Sequence, residues 1–231
     1  MIDSNASRPL GLVAAAPSQH SSLAKAPGTR RSAKKRKFYE MAYTNVSTPG
    51  GYELMNKPAL FPAGARMFLT RKDRRGFREY TEMLLFRFDT RLGRAITDME
   101  PIHGFWLVSD RAKTVLERVD PDAFAFLECR VELRDGSEGP RYWLCDVVRV
   151  LDALSESESE ITTEKNDRGE KIYTRIGAEI LLFKEDVVGP RHIFRMQYRE
   201  STVICDDTMK DACKAAGLKG WRFRDTSRHS F

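Results

Sequence analysis

The apolar positions fall into two periodicities, which divide the chain into strands and short helices. Ala112, Val115, Leu116 and Val119 recur at i, i+3, i+4 and i+7, the stripe of a helix with one buried face. Ser109 stands before them as an N-cap, Asp110 suits the positive end of the helix dipole, and Asp120-Pro121 ends the run. Met209, Ala212, Cys213 and Ala216 repeat the stripe behind a second cap, Asp206, with Gly217 at the C′ position. Runs rich in β-branched and aromatic residues predict strands over 38–43, 83–88, 105–108, 124–133, 142–148, 171–175, 179–183, 192–197, 203–205 and 221–223.

A gapless shift of 97 positions carries Ser109 onto Asp206, Leu116 onto Cys213, Phe124 onto Trp221 and Phe126 onto Phe223. Both segments therefore specify a strand, a capped helix and a return strand. The predicted fold class is α+β: mainly antiparallel sheet with a few short helices and two similar strand-helix-strand units. Between 124 and 148 the alternation reads as a hairpin. Symmetry about Ser137 sets Cys129 opposite Cys145 and Val131 opposite Trp143. Leu127, Cys129, Val131, Leu133, Trp143, Cys145 and Val147 then share an apolar face, and Glu128, Arg130, Glu132 and Asp146 the polar one. Residues 155–170 hold Glu156, Glu158, Glu160, Glu164, Asp167 and Glu170 against Lys165 and Arg168, which reads as a mobile acidic loop.

Residues 1–37 break these patterns. They are rich in Ala, Ser, Pro and basic groups, and read as a disordered basic tail ahead of a folded domain over 38–231. The tail carries eight Lys or Arg against Asp3 alone, while the other 194 residues hold 31 basic and 32 acidic groups. The net charge of +6 thus belongs to the tail. A nearly neutral body lacks the surplus of cations that phosphate neutralisation demands, so nucleic acid is expected only through the tail. The cluster Arg30-Arg31-Ser32-Ala33-Lys34-Lys35-Arg36-Lys37 could be an address or a nucleic-acid contact, but short basic clusters carry little specificity and a solvated tail accounts for it. The stretch Leu10 to Ala16 is short and interrupted by Gly11, a poor signal peptide, and no apolar run spans a bilayer. A cytoplasmic chain with no membrane contact is expected.

Candidate chemistry is sparse. The four cysteines, Cys129, Cys145, Cys205 and Cys213, form no C-x-x-C pair and sit at apolar positions, where a thiol acts as a small hydrophobe. His20, His103, His192 and His229 make no metal-binding spacing, and there is no phosphate loop or nucleophile elbow. Asp98, Glu100, Asp206 and Asp207 could gather around a metal, but capping accounts for Asp206 and a solvated loop for Asp98 and Glu100. No catalytic residue, metal or cofactor is assigned.

Several ordered motifs resemble a known family. They include Trp106-Leu107-Val108-Ser109-Asp110-Arg111-Ala112, Tyr142-Trp143-Leu144-Cys145-Asp146-Val147-Val148, His192-Ile193-Phe194-Arg195-Met196, Val203-Ile204-Cys205-Asp206-Asp207, and Gly217-Leu218-Lys219-Gly220-Trp221-Arg222-Phe223. Together they are similar, over about residues 38–225, to the bacterial immunity-protein family of polymorphic toxin systems that is numbered eleven, formerly a domain of unknown function. The resemblance implies a non-enzymatic partner protein that binds a cognate secreted toxin and occludes it one to one. The expected partner is that toxin, such as a contact-delivered nuclease, which must itself be basic to approach phosphate. An acidic surface would steer the encounter, and Glu156, Glu158, Glu160, Glu164 and Asp167 are its candidates. A solvated loop without a partner explains the same charges, and so two readings of the segment stand. The alternative functions are a nucleic-acid-binding or regulatory protein working through the tail, or an enzyme of unfamiliar type.

Overall fold

A computed structural model describes residues 35–44, 47–57, 75–77, 80, 82–174 and 179–229. Most of the predicted tail, and residues 58–74, lie outside these described residues. The strands are β1 (Phe38–Tyr43), β2 (Tyr52–Leu54), β3 (Leu84–Phe88), β4 (Met99–Ile102), β5 (Phe105–Ser109), β6 (Phe124–Leu133), β7 (Tyr142–Val147), β8 (Val150–Leu151), β9 (Thr162–Lys165), β10 (Lys171–Thr174), β11 (Ile193–Met196), β12 (Arg199–Asp206) and β13 (Trp221–Asp225). The helices are α1 (Asp110–Val119), α2 (Glu185–Val188) and α3 (Asp207–Ala215). The strands form a six-stranded sheet of order β2-β3-β6-β7-β5-β4, a five-stranded sheet of order β13-β1-β12-β11-β8, and the separate pair β10-β9. Most pairs are antiparallel, so the α+β class holds.

The repeated cap-and-stripe pattern becomes a repeated piece of architecture. In one unit β5 and β6 flank β7, with α1 crossing between them; in the other β12 and β13 flank β1, with α3 crossing. Ser109 Oγ accepts the Ala112 N–H as the cap of α1, and Asp206 Oδ1 accepts the Met209 N–H as the cap of α3. The central strands also correspond, at a shift of 104. Trp143 opposes Val108 as Tyr39 opposes Cys205, and Val147 opposes Phe124 as Tyr43 opposes Trp221. The helix contacts repeat as well. Lys113 lies 4.7 Å over the Trp143 ring, and Lys210 lies 4.1 Å over the Tyr39 ring. The order differs, since β7 follows its helix while β1 precedes the rest of its unit by most of the chain. The two units are thus the same motif in circularly permuted order.

Burial explains this arrangement. Ala112, Val115 and Leu116 of α1 and Met209 and Cys213 of α3 join Val108, Cys145, Val147, Val203, Cys205 and Trp221 in one core shared by both sheets. Trp106 and Trp221 meet edge to face across it, with ring centroids 5.7 Å apart. The far face of each sheet has its own cover. Leu84, Phe86, Leu107, Cys129, Val131 and Leu144 form a second core, with Tyr52, Leu54, Phe77 and Tyr80 packed against it. Phe194, Met196 and Ile204 form a third with Leu154, which leads into the acidic segment, Tyr173 of β10, Leu181, and Val188 of α2.

Four expectations need correction. First, the β6–β7 hairpin does not pivot on Ser137. Gly136, at φ 84°, lets the Gly136 N–H reach Leu133 O and the Leu133 N–H reach Ser137 O, so the turn centres on Asp135. One extra residue is then absorbed near Pro140, because Val131 pairs with Gly139 but Cys129 pairs with Tyr142. The altered register sends Cys129 and Val131 to one face of the sheet and Trp143, Cys145 and Val147 to the other. Strand β7 is buried on both faces, and Asp146, assigned above to a polar face, is fully buried. Second, residues 155–170 are not a loop: β9 pairs with β10 through a turn at Asn166–Glu170, and Ser155–Ser159 form a helical turn. Third, Glu100 is not in a solvated loop but fully buried in β4, in a two-pronged ion pair with Arg94. Fourth, of the strand expected over 179–183, only Phe183 makes a bridge, to Leu154.

Candidate functional site

The acidic residues singled out above are carried by the hairpin and by the segment that leads into it. Ser155 N–H donates to Leu182 O and Glu160 N–H to Ile180 O, which ties the segment alongside residues 180–184. Ile161, Tyr173 and Leu154 hold it to the third core. Their carboxylates project from this anchored base, and all five residues are exposed. They are not equivalent. Glu156 accepts from Lys171 Nζ at 2.5 Å and from the Tyr173 hydroxyl at 2.8 Å, and these bonds hold its carboxyl below the usual carboxylate range. Burial first, and Glu156 second, push the Tyr173 hydroxyl up to about 12. Glu158 accepts from Ser155 Oγ at 2.6 Å and so closes the helical turn. Glu160 lies 3.6 Å from His229, Glu164 is in β9 opposite Ile172, and Asp167 is in the hairpin turn. Two of the five are therefore engaged in holding the segment, and Glu160, Glu164 and Asp167 face outward.

A second charged region lies where the two sheets meet. Strand β7 leaves one sheet at Val147, and the chain enters the other as β8 beside β11. Arg195 binds the last carbonyl of β7 at this crossing and two further carbonyls, from the β4–β5 turn and from β12. Its guanidinium donates to Val147 O at 2.8 Å, Glu200 O at 2.7 Å and Gly104 O at 3.2 Å, and to Asp146 Oδ1 at 3.0 Å. Arg75 completes the network, 2.6 Å from Asp146 and 3.3 Å from Glu200. Burial, and then the Arg75 charge, lower the Arg195 pKa from its ordinary value. Beside this network is a pocket of about 240 Å3 lined by Arg75, His103, Gly104, Arg195, Glu200 and Ser201. Both guanidiniums are already engaged with carboxylates and carbonyls, which makes the network a staple between sheets. Sequence reading missed it, although Arg195 inside the apolar run Ile193-Phe194-Arg195-Met196 was a signal.

The remaining polar groups also serve the framework. Asp206 accepts from Arg36 Nε at 2.9 Å and lies 2.8 Å from His192 Nδ1, in addition to capping α3. Arg36 also donates to Gly189 O and Arg191 O. Asp120 accepts from Arg149 at 2.5 Å and from the His192 N–H at 2.8 Å. All four cysteines are free and buried, and burial pushes the Cys129 and Cys213 thiols up to about 12, far from a nucleophile's range. Among the described residues, no three His, Cys, Asp or Glu side chains gather as a cation requires. No helix among them is long and apolar enough to cross a membrane.

Residues 26–228 match the model of a family described as "Immunity protein family (Imm11)". The match reaches further toward the N-terminus than the motifs at 38–225, and takes in the basic cluster at residues 30–37. No curated protein matches the chain.

Proposed function

The chain belongs to the immunity protein family Imm11, a family of toxin immunity, and from that premise we propose that it neutralises one cognate toxin by covering it stoichiometrically, without catalysis. The contact is the outward side of the β9–β10 hairpin and its leading segment, with Glu160, Glu164 and Asp167 meeting the toxin and Glu156 and Glu158 holding the surface in shape. The toxin is a cytoplasm-acting enzyme with a basic substrate cleft, as a nuclease has. The observation that supports this reading is the contrast in charge use: the carboxylates Glu100, Asp146, Glu179 and Asp206 are buried in ion pairs, while these three are presented to solvent on a well-anchored base. Such charges act on the rate of encounter more than on the lifetime of the complex.

The test uses the cognate toxin domain, made catalytically inert, and a triple Glu160→Lys, Glu164→Lys, Asp167→Lys variant. The association rate at low salt should fall by about tenfold or more, and its salt dependence should flatten. Protection of cells expressing the active toxin should weaken in parallel. Unchanged rates, salt dependence and protection would remove the hairpin as the contact.

A further inference from the structure

We infer that β9 is an open sheet edge that takes up an extended, net-basic segment of the toxin as an added strand. The inference rests on the reading that the hairpin meets the toxin, and it says how the backbone takes part. In an antiparallel pair, residues alternate between those bonded to the partner strand and those whose N–H and C=O point away. The Asn166 N–H donates to Glu170 O at 2.9 Å, which fixes that alternation for the whole hairpin. Given the register Lys165↔Lys171, Glu164↔Ile172 and Thr163↔Tyr173, Glu164 bonds across to β10, whereas Thr163 and Lys165 direct their backbone groups outward. Tyr173 confirms the phase from the other strand: its N–H turns away from β9 and donates to Tyr198 O at 3.0 Å. Among the described residues, nothing pairs with the outer side of β9.

Of the other sheet edges, those at β4, β8 and β13 are blunted in ways that β9 is not. Strand β4 contains Pro101 and is met by Gly220, which packs so closely on the Met99 carbonyl that no Cβ fits between them. Strand β8 has two residues, and the end of β13 is closed by the bond from the Leu181 N–H to Thr226 O. Strand β9 has neither proline nor bulge, and Thr163, Glu164 and Lys165 are exposed in succession. An open edge of this kind recruits another chain. Charge selects the occupant. Glu160 lies before the strand, Glu164 within it and Asp167 after it, against Lys165 and Arg168. A basic side chain set beside Glu164 on the outer face gains a cross-strand pair.

Thr163→Pro and Lys165→Pro, made separately, test the edge. Each removes an outward N–H that meets no partner among the described residues, so melting temperature and circular dichroism should stay at the wild-type values. Affinity for the inert cognate toxin domain should fall about tenfold in each variant. Hydrogen exchange supplies a readout that needs no substitution: the Thr163 and Lys165 amides should exchange rapidly in the free chain and become protected in the complex. If both amides stay unprotected and the proline variants bind as the parent does, the added strand is refuted. In that case, a triple lysine variant that still binds poorly leaves the toxin-contact reading intact. If the triple lysine variant also binds normally, both fail.

Discussion

The two strand-helix-strand units match in register, in caps and in the lysine laid over the central aromatic, yet they differ in what they do with charge. The first caps its helix with a neutral serine and closes its far face with the apolar rings of Tyr52 and Phe77. The second caps its helix with a buried carboxylate held by Arg36 and His192, and closes its far face with the acidic hairpin. Positions that repeat make the frame. Positions that do not repeat carry the specialised work, either as a staple between the sheets or as an exposed surface. This division can be broken experimentally, since it assigns different costs to positions that correspond.

The largest effect belongs to Arg195, whose counterpart by strand register is Pro101. Arg195→Met leaves Asp146 buried with Arg75 as its remaining ionic partner and frees three backbone carbonyls. Unfolding by urea should show a loss of about 3–5 kcal/mol. An Asp146→Asn, Arg195→Met double variant should cost less than the two single changes together, because the partners are coupled. Additive losses would mean that the network does not act as a unit.

The caps come next and are the closest comparison available. Ser109→Ala should cost about 1 kcal/mol, the ordinary value of a lost cap. Asp206→Ala loses the cap and also strips Arg36 and His192 of a partner that is 2% exposed, so about 3 kcal/mol is expected. Equal costs would show that the ionic part of the Asp206 site contributes nothing.

Sequence legibility followed the same division. Strands β1 and β6 and the caps of α1 and α3 were read at their observed positions, because period and capping chemistry are local and the repeat states them twice. The β6–β7 register was misread because it depends on Gly136 in the left-handed region and on an extra residue near Pro140, and both leave the alternation of apolar residues looking intact. Strand β4 was missed because Met99-Glu100-Pro101-Ile102 has a buried ion pair and a proline where a strand signal was sought. Strand β10 was read as a strand, but residues 155–170 passed for a loop because Ile161 is their one inward apolar residue among polar ones. For the candidate surface, the five carboxylates were legible as charges, but which of them are tied down depends on Lys171, Tyr173 and Ser155, which only folding brings to them.

A smaller effect tests the frame itself. Lys113→Met and Lys210→Met each remove a cation from an aromatic face, at about 0.5–1 kcal/mol. The two should not be equal. Trp143 keeps Arg141 at 5.4 Å from its ring, while Tyr39 shows no second cation among the described contacts. Lys113, however, also lies 5.1 Å over the Phe126 ring, which keeps no other cation among the described contacts, so Lys113→Met should cost slightly more, read as a shift of the urea midpoint at constant slope.

The smallest effect is local and concerns pH. The far-face tyrosines of the first unit donate to backbone carbonyls, Tyr142 to Thr97 O and Tyr52 to Pro101 O, which do not titrate in the accessible range. In the second unit, Tyr173 donates to Glu156, which does. The Glu156 carboxyl is held below its usual range, so its contribution is present above the unfolded value and is lost as pH falls through the folded one. All three hydroxyls are raised to about 12, so their contribution is present below the usual tyrosine value and is lost as pH rises toward 12. Alkali should thus loosen both far faces, whereas acid should loosen the hairpin through Glu156. Amide exchange at Ile172 and Tyr173 should quicken as pH falls below the carboxylate range, after correction for the intrinsic rate, and Glu156→Gln should abolish that acid response while leaving the alkaline one. If Glu156→Gln leaves the acid response unchanged, the carboxylate is not what holds the hairpin, and the surface it shapes has another anchor.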